Sequence, residues 1–204
     1  MRTFVFIAVL MLLLPAMGSA AETRRQIGHV EGVPVFADQI AGEDKQQRAD
    51  KALELFMRPT LQAWYRQHAS ELKVTDAEAR MLEAQIVAYA ECSQNGYELP
   101  QDPEWRSIAL NMSGLMAKAP ALLYAQYGGG RLLFQQGGTE AFDAMRRLLE
   151  QRESEGAFAI TDPEVRALAY DYWTRDHGAM FITDPVAINR ALDIKSVISK
   201  CPEG

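Results

Sequence analysis

Helix-start signals divide this chain, and they constrain its fold more than any other feature of the sequence. Ile160-Thr-Asp-Pro and Ile182-Thr-Asp-Pro each set an apolar residue, a capping side chain and a proline in a row. Proline suits the first position of a helix, where its missing N–H has no partner to lose. The side-chain oxygen before it accepts from the free N–H groups of the first turn. Thr75-Asp76-Ala77-Glu78 is a third start, a capping box in which hydroxyl and carboxylate satisfy those N–H groups reciprocally. Apolar residues then recur at helical spacing: Leu82, Ile86 and Tyr89 after the box, and Val165, Leu168, Ala169 and Tyr172 after the first Asp-Pro. The two Ile-Thr-Asp-Pro words stand 22 residues apart. No further copy with shared packing positions accompanies them, so they are helix punctuation and not a solenoid. The reading is a mainly α fold.

Other segments fit around this frame. Ile27 to Val30 and Val33 to Phe36 are short apolar runs about Glu31-Gly32, which predicts a small N-terminal β-hairpin. Pro34 cannot donate to a ladder and places its strand at an edge. Asp38 reads as a helix cap, and the charged run Glu43 to Lys51 as a loop or helix start. From Ala49 to Ala69 the stripe Leu53, Phe56, Met57, Leu61, Trp64 is helical, with Pro59 kinking it or starting a second helix. Trp105 to Ala117 predicts a helix that continues or restarts after Pro120 as far as Tyr127. Arg131 to Gln136 is ambiguous between strand and helix. Thr139 then caps a helix with Phe142, Met145 and Leu149 inward, and Asp184-Pro185 opens a last one through about Ile198.

Residues 1–20 have the form of a cleaved signal peptide: Arg2, an apolar run from Phe4 to Met17, and small residues at Gly18, Ser19, Ala20 and Ala21. The expected product is a single helical domain, residues 21–204, exported to the periplasm or outside the cell. The net charge of −6 becomes −7 without Arg2, which argues against nucleic acid as a partner. No later segment approaches the length of a membrane span. In an oxidising compartment Cys92 and Cys201 are expected to form a disulfide, closing a loop of about 110 residues and contributing roughly 4 kcal/mol.

Candidates for chemistry are few. His29, His68 and His177 lack metal-ligand spacing, and no nucleophile motif accompanies them. His177 before Gly178 suits a helix end, where a cation meets the carbonyl dipole, and His68 shares a face with Trp64. Gly128-Gly129-Gly130-Arg131 is the most unusual word: consecutive glycines free backbone N–H groups for an anion, and Arg131 adds a bidentate charge. A phosphate-binding loop would need Lys and Ser or Thr, which are missing, and a sharp connection that excludes any Cβ explains the glycines equally well. Tyr170 and Trp173 fall partly off the stripe of their helix and are candidate anchors for a partner. No cofactor or metal site is indicated.

The stretch Ile27-Gly-His-Val-Glu-Gly-Val-Pro-Val-Phe-Ala-Asp-Gln-Ile40 resembles the opening of SurA-type periplasmic foldases, where such a hairpin precedes the helices of a chaperone module. The resemblance covers about 14 residues clearly. The parvulin isomerase domain usual in that family is not evident, although Gly129 to Phe142 echoes one of its glycine-phenylalanine words, so no catalytic residue carries over. What the resemblance implies is a non-enzymatic protein that binds unfolded or exported polypeptides or assists envelope assembly. The alternative is a small-ligand or anion-binding domain, or a hydrolase, built on Gly128 to Arg131. A third reading is a structural subunit of an envelope complex.

Overall fold

The computed structural model describes residues 24–92, 99–135 and 138–196. The expected signal peptide, residues 1–20, lies outside the described residues, and so do Cys201 and the Cys92 side chain of the expected disulfide. Within them the fold is mainly α, with two small antiparallel sheets.

The N-terminal hairpin forms as the sequence implies. Strands β1 (Gln26–Val30) and β2 (Val33–Phe36) pair with His29 opposite Pro34, and Glu31 and Gly32 make the two-residue turn with φ of 49° and 80°. Pro34 stands on the edge strand. The hairpin is completed from far along the chain by β5 (Phe158–Ile160), giving the order β2-β1-β5. Gly28 is demanded by that pairing: a Cβ there would lie 2.1 Å from the Ala159 carbonyl oxygen and 2.7 Å from the Phe56 ring. Asp38 caps no helix. Gln39 accepts from the Phe36 N–H at the 3₁₀ turn Ala37–Ile40, and Asp38 pairs instead with Arg24 at 2.6 Å.

Helix α1 (Lys45–Ala52) starts on the Asp44 carboxylate, which accepts from the Gln47 N–H. It passes through a π turn, Leu53–Met57, into α2 (Arg58–Gln67). Pro59 has no N–H for an α-helical bond, and widening the turn so that Arg58 N–H reaches Leu53 O absorbs the mismatch. Phe56, Met57 and Trp64 from this run are buried at the centre of the core. After the short α3 (Ala69–Leu72), the Thr75 capping box opens α4 (Asp76–Cys92): Glu78 Oε2 accepts from Thr75 N–H and Thr75 Oγ1 accepts from Glu78 N–H.

Helix α5 (Pro103–Gln126) is one unbroken element capped by Asp102 and carrying Pro120 inside it. Arg131 to Gln136 resolves in favour of strand: β3 (Leu132–Gln135) pairs with β4 (Gly138–Glu140) and with β6 (Phe181–Ile182), order β4-β3-β6. Thr139 therefore lies in β4 rather than capping α6 (Phe142–Ser154), whose first turn follows Ala141. Both Ile-Thr-Asp-Pro words do the same job. Each ends a strand and then caps a helix, α7 (Pro163–Thr174) on Asp162 and α8 (Pro185–Ala191) on Asp184. Helix α8 ends well before Ile198, and a 3₁₀ turn, Ile194–Ser196, follows.

One core joins the sheets to α2, α5, α6 and α7. A satellite cluster of Val74, Leu82, Ile86, Leu99 and Leu110 sits between α4 and α5. Gly114 permits that close approach, since a Cβ there would meet Val74 at 2.3 Å. Among the described residues no helix is long and apolar enough to cross a membrane.

Candidate functional site

The glycine word leads from α5 into β3. Gly128, Gly129 and Gly130 all have positive φ (77°, 74° and 108°), the region that side chains with a Cβ avoid. Arg147 of α6 donates to the Tyr127 and Gly129 carbonyl oxygens at 2.6 and 2.9 Å, clamping the turn. The anion in this turn is the protein's own. Asp143 accepts from the Arg131 backbone N–H at 2.8 Å and from its guanidinium at 2.9 and 3.1 Å. A Cβ on Gly130 would come 2.6 Å from the Asp143 side chain. Burial opposes ionisation of Asp143, but these donors together hold its carboxyl below the ordinary value. The Arg131 guanidinium also lies 4.2 Å over the Phe181 ring. Beside the turn is an open depression of about 410 Å³ lined by Tyr124, Gly130, Arg131, Asp143, Thr183 and Asn189 among others. The turn is a structural clamp with a shallow hollow next to it.

A second cluster lies on the same sheet. The Tyr172 hydroxyl of α7 donates to Glu140 Oε2 at 2.5 Å, and Gln135 Nε2 donates to the same oxygen at 3.2 Å. Gln135 also reaches the Tyr172 hydroxyl. Burial raises the Glu140 carboxyl above its ordinary value, against the opposing effect of those hydrogen bonds and of nearby His177. The Tyr172 hydroxyl is pushed up too, by burial and by its acidic neighbour. His177 bonds the Tyr172 carbonyl oxygen through Nε2 and packs edge-on against Phe142, Tyr172 and Phe181. Nothing in the sequence marked Glu140, because an acid two residues before a helix looks like any other surface acid.

The structure reverses the assignment of aromatic anchors. Tyr170 and Trp173 are both 4% exposed and belong to the core, whereas Tyr172 is the half-buried one. Helix α7 packs against α1 on one side and α6 on another, so its buried face is wider than one stripe. Tyr170 donates to Glu153 of α6 at 3.0 Å, a bond that an anchor awaiting a partner would not have made. His68 is buried, stacked on Trp64 and bonded to its carbonyl oxygen, and His29 lies in β1 opposite Pro34. Among the described residues no three His, Cys, Asp or Glu side chains are grouped to hold a metal.

The surface that stands out is on α5. Trp105, Ile108, Met112 and Met116 recur along one face and are 64%, 44%, 53% and 40% exposed. The β3–β4 hairpin continues this face. A Cβ on Gly138 would lie 3.1 Å from Met116 Cε, and Phe134, also exposed, stands on that hairpin. Leu110, Gly114 and Ala117 meanwhile bury the opposite side of the helix. A helix apolar on both sides was the available signal: Trp105, Ile108, Met112 and Met116 recur at helical spacing beside Leu110 and Ala117. No family model matches the chain, and no curated protein and no solved structure is significantly similar to it.

Proposed function

We propose that this protein is a non-enzymatic binder of polypeptide, chaperone-like or an accessory to the assembly of exported proteins. The observation that carries the proposal is the outward stripe Trp105, Ile108, Met112, Met116 with Phe134 beside it. Isolated exposed apolar residues are ordinary, whereas a contiguous row along a helix marks an interaction surface. Methionine side chains are flexible and polarisable, and adapt to varied apolar partners. The face carries no lysine, arginine or aspartate between Trp105 and Met116 other than Arg106, which is turned towards Glu83 of α4. Such chemistry suits apolar stretches of an unfolded chain better than nucleic acid. The N-terminal hairpin, which resembles that of SurA-type foldases, agrees with the reading.

Light scattering from an aggregating exported polypeptide tests it, with an inert protein of similar charge as control. Suppression near stoichiometric ratio is the expected result. Unchanged aggregation across several clients would remove the proposal. The small-ligand alternative keeps one observation, the hollow beside Gly130. Arg131 is already engaged by Asp143, so a ligand there would rely on the remaining guanidinium N–H groups and on Tyr124, Thr183 and Asn189. A thermal shift on screening small anions and polyols distinguishes that reading from the first.

A further inference from the structure

The outward stripe of α5 has the shape of one half of a helix pair. Trp105, Ile108, Met112 and Leu115 follow one another at spacings of three, four and three residues, the alternation by which two helices interlock along a seam. Met116 widens the row, and the buried Ala119 ends it. Trp105, Ile108, Met112 and Met116 together expose roughly 400 Å² of apolar surface. A specific protein interface needs about 500 Å² from each partner, about two-thirds of it apolar when the partners are identical. The stripe supplies that apolar share by itself.

The stripe is also complementary to itself across a two-fold axis. Let two copies of α5 lie antiparallel, with the axis midway between Ile108 and Met112. Ile108 then meets the partner's Met112, and Trp105 meets the partner's Leu115 and Met116. Charge permits this pairing. Between Trp105 and Met116 the only ionisable side chain is Arg106, which is turned aside to Glu83 of α4 at 3.0 Å. Glu104, exposed at the start of the helix, stands about 18 Å along the axis from its counterpart, beyond the ~8 Å screening length of physiological salt. A parallel pair would instead set Glu104 against Glu104 and bring like helix ends together. The ends clear as well. Strand β4 meets α5 at Met116, 3.1 Å from where a Gly138 Cβ would stand. Helix α5 starts at Pro103, so the partner's helix begins level with Ala117 and does not run across the β3–β4 hairpin.

We infer that the stripe is the interface of a two-fold dimer of this chain, formed by α5 pairing antiparallel with α5 of a second copy. A client polypeptide and the second copy compete for one face, but the dimer does not depend on client binding.

Sedimentation velocity on the purified full chain, under reducing conditions so that no disulfide joins two chains, tests the dimer from about 1 to 100 μM. The natural chain is expected to be dimeric at the upper end and to dissociate on dilution. Ile108→Asp with Met112→Asp should raise the dissociation midpoint at least tenfold at an equal melting temperature. A natural chain that stays monomeric throughout, or a double variant with an unchanged midpoint, would overturn the dimer. A short bismaleimide then reads the register, with the joined peptides identified by mass spectrometry. Asn111 and Glu104 are both exposed. Asn111→Cys should link to its own counterpart near the axis, and Glu104→Cys should not. Linking through position 104 and not through 111 would overturn the antiparallel arrangement. Neither measurement contains a client, so dimer and polypeptide binding can each fail without the other.

Discussion

Glu140 and Tyr172 join the small sheet to the helical layer through a hydrogen bond of 2.5 Å between groups that both resist ionisation. Glu140 lies on β4 and Tyr172 on α7, 32 residues later. Gln135 bonds both, so the three side chains form a closed polar patch against Phe142 and His177.

The patch makes stability depend on pH in a definite direction. Burial raises the Glu140 pKa in the folded state, so the fold favours the protonated carboxyl. Its contribution is complete below the unfolded value and is lost as pH rises through the raised one. Glu140→Gln keeps an acceptor for Tyr172 and carries no charge. Its melting temperature should match the natural protein near pH 4 and exceed it at pH 8 by about 2 °C, a change a little under 1 kcal/mol for a chain of this length. A gap that stays constant with pH would show that Glu140 is not the group responsible.

Removing Asp143 should be worse than removing a surface charge. Asp143→Ala leaves the Arg131 N–H without its acceptor and strips the guanidinium of its partner. The expected loss is about 2–3 kcal/mol, measured by urea unfolding. Asp143 has a depressed pKa, so this contribution is present above the unfolded value and disappears as pH falls through the lower folded one. The difference between the two proteins should therefore shrink in acid.

Gly28→Ala is expected to be among the most damaging single changes. The added methyl group would collide with the backbone of β5 and with the buried Phe56 ring. Overpacking of this kind costs about 3 kcal/mol, readable as a drop in the urea midpoint with an unchanged slope.

The outward stripe predicts the opposite pattern. Ile108→Asp with Met112→Asp changes two exposed side chains, and stability should move by less than about 0.5 kcal/mol per site. Suppression of client aggregation should fall at least fivefold. Retained suppression in the double variant would locate binding elsewhere on the molecule.

Much of this architecture was legible in the sequence wherever a local rule decided it. The Thr75 box, the Asp162 and Asp184 caps and the hairpin about Glu31-Gly32 each depend on a few adjacent residues, and each is where the sequence places it. What escaped depends on distant partners. Tyr170 and Trp173 look amphipathically misplaced until α1 and α6 both close on α7. Arg131 looks free until Asp143 arrives from the next helix. Thr139 looks like a cap until β3 claims it as a strand neighbour. The apolar stripe of α5 is visible as composition, but which of its two faces turns outward is settled only by where α4 and the core lie.

The order β2-β1-β5 also has a kinetic side. The strand in the middle is made early and its second neighbour, Phe158–Ile160, comes about 130 residues later. A two-stranded hairpin alone is marginal in water, so β1 presents an open edge until β5 has been delivered. Closing that edge requires a long loop to form first, which slows folding. A chain delivered from its N-terminus would therefore stay loose until residue 160 emerged, and then close in a single late step.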